Sequence, residues 1–180
     1  VLRARVVEMV VRSVVRRSGL KELGIGRATF RAAGEPVPVG ATVQIPRDKK
    51  IKASITIENT GSGAVSGDFS AEVFYADSLS DSSGDPKTDE NTWWSEMENV
   101  ETITAFSITL NPGDTFTLES YNPVNASTWS EGTIIDAGVV LMVYFDTTPT
   151  YLDSLKIADA VKIIAPTLRV EITDVTFSEA

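Results

Sequence analysis

Aspartates at 77, 81, 85 and 89 recur every four residues, and Glu90, Glu96 and Glu98 follow them in the stretch DSLSDSSGDPKTDENTWWSEME. Several oxygen ligands from one flexible segment are what a hard cation takes. A Ca²⁺ site built on Asp77, Asp81, Asp85 and Asp89 is therefore one expectation. The spacing lacks the ligands two apart and the bidentate Glu at position twelve of an EF-hand loop. The same composition also suits a solvated loop rich in turn formers, so both readings stand. Trp93, Trp94 and Trp129 supply a second kind of chemistry, since indole faces stack on sugars and anchor interfaces. In an extended chain Trp93 and Trp94 point to opposite faces, which leaves at least one at the surface or at a contact. Glu96 and Glu98 are a carboxylate pair of the type glycosidases use, but nothing in the sequence positions them. Asn125-Ala126-Ser127 is an N-glycosylation sequon.

Histidine and cysteine are both absent from the 180 residues. That excludes Ser-His and Cys-His nucleophiles, zinc sites built on these ligands and disulfide frameworks. Only carboxylates, Lys, Tyr or oxygen-ligated cations remain for catalysis, and the expectation is that the chain is not an enzyme.

The elements that must carry these residues divide near residue 23. Residues 1–23 hold six basic and two acidic side chains; residues 24–180 hold ten basic and twenty-three acidic. The chain thus reads as a basic arm, 1–23, followed by an acidic β-domain, 24–180. In the arm, Val6, Val7, Val10, Val11, Val14 and Val15 fall in pairs that gather on one face at about 100° per residue, with Arg5, Arg12 and Arg16 opposite. The expectation is an amphipathic helix ending near Ser18-Gly19, with Gly24 and Gly26 as a second break. Six β-branched valines lower its intrinsic propensity, so it needs a surface for its apolar face. Three partners are open: its own domain, other subunits, or anionic lipid or nucleic acid met by the arginines. The last fits least, because no aromatics interleave the arginines and the acidic body repels a polyanion. No run of about 18 apolar residues marks a membrane span, and the arginines interrupt any signal-peptide core.

From residue 27 the period becomes two. Ala28, Phe30 and Ala32 alternate with polar residues, and Val37 to Ile45 continue past Pro38 as an edge strand. Ile51, Ala53, Ile55 and Ile57 then read as a half-buried strand. Asn59-Thr-Gly-Ser-Gly63 is a turn, and Phe69, Ala71, Val73 and Tyr75 mark the next strand. Further strands are expected at 102–110, 114–121, 138–145, 158–164 and 168–177. The run GVVLMVYF at 138–145 is apolar on both faces, the mark of a central strand. Asn111-Pro-Gly-Asp114, Asn122-Pro123 and Thr148-Pro149 supply turns. Many short strands without intervening helices argue for an antiparallel β-sandwich. In the last segment Val175 and Phe177 break parity with Leu168, Val170 and Ile172. That predicts a bulge, or a final piece that adds to a neighbour's sheet edge.

Ile55-Thr-Ile-Glu-Asn-Thr-Gly-Ser-Gly63, Phe69-Ser-Ala-Glu-Val-Phe-Tyr75 and Leu110-Asn-Pro-Gly-Asp-Thr-Phe-Thr-Leu118 resemble CARDB-type domains, immunoglobulin-like sandwiches of prokaryotic cell-surface proteins. The tail Pro166 to Phe177 is similar to the opening strand of a further such domain. The resemblance spans about residues 50–177 and implies an extracellular, adhesive or structural setting with no catalytic residues. A helix before an immunoglobulin-like sandwich is also similar in layout to archaeal pilins, whose helix is longer and nearly free of charge. The expected fold is therefore mainly β: an immunoglobulin-like antiparallel β-sandwich with an N-terminal amphipathic α-helix. The expected function is a structural subunit, extracellular, on a cell surface or in a virion, whose partners are copies of itself. Its interface would use the six valines and three arginines of the arm, Val175 and Phe177, and Trp93 and Trp94. The alternative is a surface adhesive or carbohydrate-binding module.

Overall fold

The computed structural model of the chain describes residues 23–32, there for the backbone alone, and residues 42–166. The amphipathic arm up to residue 22, most of the 37–45 strand before residue 42, and the 168–177 strand lie outside the described residues. Among the described residues the fold is mainly β, with one α-helix. Strands β1 (Leu23–Ala32), β3 (Lys50–Asn59) and β6 (Thr115–Glu119) form one antiparallel sheet in the order β1-β3-β6, and β7 (Val124–Asn125) also pairs with β3. The second sheet runs β2 (Val43–Pro46), β9 (Pro149–Ile164), β8 (Ile134–Tyr144), β4 (Val65–Ala76), β5 (Asn99–Leu110). Its β2–β9 pair is parallel and its other pairs are antiparallel.

The alternation at 51–57 does what its pattern predicts. Ile51, Ala53, Ile55 and Ile57 are all buried, while Lys52, Ser54, Thr56 and Glu58 face outward. Opposite them lie Phe69, Ala71, Val73 and Tyr75 of β4 and Val139, Leu141 and Val143 of β8, in one apolar cluster shared by the two sheets. Full burial of each Ile, Val, Leu or Phe side chain among them contributes about 1.5–3 kcal/mol. The sheets adjoin at both margins: β1 lies near β2 and β9, and β6 lies near β5. Buried Glu101 on β5 fixes that second margin. It accepts from the Ser120 hydroxyl at 2.6 Å and the Asn122 N–H at 3.0 Å.

The two turns that the sequence marks most clearly are joined through one side chain. Buried Asn59 donates its amide to the carbonyls of Gly63 (2.8 Å) and Leu110 (2.9 Å) and accepts from the Gly61 N–H (3.0 Å). Its backbone bonds Gly113 and Asp114 of the Asn111-Pro-Gly-Asp114 turn, where Gly113 sits at φ +83°. That left-handed conformation is open to glycine at little cost.

Four expectations need correction. The first strand begins at Leu23, not at 27, and runs through Gly24 and Gly26. The register shifts between Ile25 and Arg27, so Gly26 makes a bulge within the strand instead of a break before it. Second, residues 86–96 form helix α1 (Pro86–Glu96) where a loop was expected. Third, the turn expected at Thr148-Pro149 lies just earlier, and Pro149 opens β9, a 16-residue strand expected only from 158. Its alternation is hidden by two irregularities. One skips Leu152 and the other extrudes residues 158–160, with Asp159 at φ +50°. Fourth, the apolar run at 138–145 is central as expected, but it ends in Phe145, which is 52% exposed. Its second apolar face is covered by α1, since Val140 and Met142 cluster with Phe74, Ala76, Leu79 and Trp93.

Candidate functional site

Helix α1 and residues 77–85 before it lie over the outer face of the larger sheet, and they carry most of the residues singled out from the sequence. The helix starts where local chemistry dictates. Asp85 accepts at its N-cap from the Lys87 N–H (3.2 Å) and the Thr88 hydroxyl (2.9 Å), with Pro86 in the first turn. Its buried positions, Pro86, Asp89 and Trp93, stand three and four residues apart on one face.

Trp93 and Trp94 are neighbours in sequence and differ in environment because successive helical residues diverge by about 100°. Trp93 is fully buried: its Nε1–H donates to the Ser80 carbonyl at 2.9 Å, and its ring tilts against Phe74 at 6.1 Å. Trp94 is 42% exposed, meets Phe74 edge-on at 5.5 Å, and donates from Nε1 to Glu72 Oε2 at 3.3 Å. One of the pair is thus at the surface, as expected, for a helical instead of an extended reason. Trp129 is buried edge-on against Tyr75 at 6.3 Å and donates to Glu98. Its indole face is closed to a sugar. Asn125 of the sequon is exposed at the end of β7.

The four aspartates do four different jobs. Asp77 is exposed beside Glu98; partial burial and that neighbouring charge raise its pKa. Asp81 is exposed and pairs with the Lys156 ammonium at 3.1 Å. Asp85 caps α1. Asp89 is buried and accepts from the Ser154 hydroxyl (2.6 Å), the Ser83 N–H (2.6 Å) and the Ser82 hydroxyl. Burial pushes the Asp89 pKa up, but these donors outweigh it and hold the carboxyl below its ordinary value. Among the described residues no three Asp or Glu side chains are grouped to hold a metal ion. Glu96 accepts from both the N–H and the hydroxyl of Ser80, and Glu98 from the Asp77 N–H at 3.1 Å. Both carboxylates anchor the segment before the helix. Lys156 completes the anchoring. It donates to the Leu79 carbonyl and pairs with Asp136 at 3.4 Å, while Asp136 accepts from the Leu79 N–H at 3.0 Å. Burial disfavours the Lys156 charge, but Asp81 and Asp136 hold its pKa above the ordinary value.

A carboxyl pair that sequence reasoning missed lies at the centre of this face. Glu72 of β4 and Glu90 of α1 are electrostatic neighbours. The Tyr151 hydroxyl of β9 donates to Glu90, and the Trp94 indole donates to Glu72. Burial, then the Glu90 charge and its hydrogen bond, push Glu72 up to about 7 against the opposing effect of Trp94. Tyr151 and Tyr144 are raised above the ordinary phenol range, first by burial and then by the two glutamates. Glu72 was illegible as a site because it occupies an ordinary outward position of an alternating strand. The Asp-Pro start at 85–86 was a legible signal of the helix that delivers Glu90.

No protein-family profile matches the chain, and no curated protein does. Among solved structures, one similar chain is a Bacteroides uniformis beta-glucuronidase 2 covalently bound to cyclophellitol-6-carboxylate aziridine, at 13% identity and a TM-score of 0.42. The match covers 75% of this chain and 14% of that one, so this chain spans a small part of the enzyme's length.

Proposed function

We propose that the chain is a structural subunit, an immunoglobulin-like β-sandwich that assembles with copies of itself into an extracellular filament or a virion layer. The strand order supports the immunoglobulin-like reading. Strands β1, β3 and β6 stand where A, B and E do, and β4, β8 and β9 where C, F and G do, with antiparallel pairs throughout both sets. The observation that carries the structural role is the use made of the acid-rich segment 77–98. Its carboxylates are taken up in holding the fold: they cap a helix, anchor the preceding segment or pair with Lys156. The charge division gives the assembly its polarity. A basic arm with a valine face seats its arginines on the acidic body of an adjacent copy, which carries twenty-three acidic side chains against ten basic ones.

The test reverses Arg5, Arg12 and Arg16 to Glu in the full chain. Light scattering and electron microscopy of the unaltered protein should show polymers or particles, and the variant should give folded monomers. A strictly monomeric parent at high concentration, or unchanged assembly by the variant, refutes the reading. A second reading, a carbohydrate-binding surface, is favoured by exposed Trp94 beside Glu72. Loss of glycan-array binding in Trp94→Ala would support it.

A further inference from the structure

We propose that Asn125 carries an N-linked glycan and that the margin of the sandwich bearing it faces outward from the assembly. The proposal rests on the extracellular, assembling reading given above and adds a modification site to it. The chain has six asparagines, and Asn125 is the only one that satisfies the acceptor rule, with a residue other than proline and then Ser or Thr after it. Three of the others spend their side chains on the fold. Asn59 bridges two turns, Asn99 donates to the Thr128 hydroxyl and accepts from the Val100 N–H, and Asn111 donates to Asp114.

Asn125 is placed differently. It ends β7 and stands at the N-cap of a short 3₁₀ turn, Ala126–Thr128. An asparagine there is ordinarily explained by capping, its side-chain oxygen accepting from the first turn. Asn125 makes no such bond. The main chain around it is nonetheless well held. Its backbone pairs with Lys50 of β3, the Ala126 N–H donates to the Lys49 carbonyl at 3.0 Å, and the Trp129 N–H donates to the Ala126 carbonyl at 3.2 Å. Val124, Ala126 and Trp129 are buried, while Asn125 and Ser127 are exposed. Both residues that the acceptor rule names are thus at the surface. The one between them, which needs only not to be proline, is turned inward.

The reaction joins the Asn125 amide nitrogen to the anomeric carbon of a saccharide carried on a polyprenyl phosphate. The carbon–oxygen bond to the lipid phosphate breaks and the carbon–nitrogen bond forms. The amide gives up one proton and the lipid phosphate leaves, with no change of oxidation state. The product is bulky and solvated, so the surface around it cannot pack against another copy. That surface is the margin where β7 lies beside β5, tied by Asn99 and Thr128 at 3.3 Å. Tyr121, 68% exposed, lies on the same margin, next to the Asn122 N–H that Glu101 of β5 holds. Its ring therefore belongs to the outward surface and not to the contact between copies.

The experiment exports the full chain through the secretory pathway of cultured eukaryotic cells behind a cleavable signal peptide. Mass-spectrometric peptide maps are compared before and after peptide N-glycosidase, which hydrolyses the linkage and leaves an aspartate in place of Asn125. The parent should carry one glycan, at Asn125. Asn125→Gln and Ser127→Ala should each abolish it, and Ser127→Thr should retain it. If cells hold the chain back, the same map is made on their microsomal fraction. Unmodified Asn125 in the folded parent overturns the proposal, and so does a glycan that survives Ser127→Ala. The unglycosylated Asn125→Gln protein should melt with the unglycosylated parent, because the side chain makes no capping bond; a lower Tm assigns Asn125 a structural role instead. Electron microscopy then compares glycosylated and enzyme-treated chains. Polymers with the glycan in place support the outward margin, and polymers only after its removal overturn it. Polymers in neither form refute the assembly reading and the outward margin with it, while the peptide map still decides Asn125.

Discussion

A methyl group at residue 138 is the smallest change that tests how α1 is seated. Gly138 lies on β8 directly under the Trp93 indole. A Cβ built there would stand 2.7 Å from Cε3, 2.9 Å from Cδ2 and 3.0 Å from Cζ3. The ring cannot step aside easily, because its Nε1–H is held by the Ser80 carbonyl and its face meets Phe74. Gly138→Ala therefore overpacks a rigid contact and should destabilise by about 1–3 kcal/mol. At this chain length each kcal/mol lowers Tm by about 2–4 °C. Trp93→Leu alone leaves a partial cavity and strands the Ser80 carbonyl, at a cost of roughly 3 kcal/mol. In that background Gly138→Ala meets free space and should cost less than about 0.5 kcal/mol, so the double-mutant cycle should show a coupling of about 1–2 kcal/mol. Guanidinium denaturation with an unchanged m-value measures all four corners. An alanine at 138 as stable as the glycine, or equally costly in both backgrounds, would refute the seating described for Trp93.

Asn59→Ala removes the donors to the Gly63 and Leu110 carbonyls and should cost about 2–3 kcal/mol by chemical denaturation. Asp89→Asn weakens the acceptor that Ser154, Ser83 and Ser82 share, and should cost about 1–3 kcal/mol near neutrality. The Asp89 pKa is depressed below 3.8, so its contribution is present above that value and is lost as pH falls through the folded one. The gap between parent and variant in a Tm series should accordingly close below about pH 3.8 and stay open from pH 5 to 7.

Sequence alone determined the elements whose signal is local. Strand β3 was legible because Ile51, Ala53, Ile55 and Ile57 alternate without interruption, and period two reports one buried face wherever the strand sits. The turns at 59–63 and 111–114 were legible because their glycine and asparagine fit few other backbone conformations, and the absence of histidine and cysteine bounded the chemistry. Helix α1 was not legible as an apolar stripe, because its inward face is Pro86, Asp89 and Trp93. Those residues are suited to burial only by partners far along the chain: Gly138 beneath the indole, and Ser154 donating to Asp89 across 65 positions. Strand β9 was obscured by its two irregularities, whose register is set by β8. The carboxyl pair lies further still from sequence. Glu72 reads as a solvated strand position and Glu90 as a loop acid, and only the packing of helix on sheet makes them neighbours. Periodicity is a property of neighbours in the chain. Proximity of two like charges is a property of the fold.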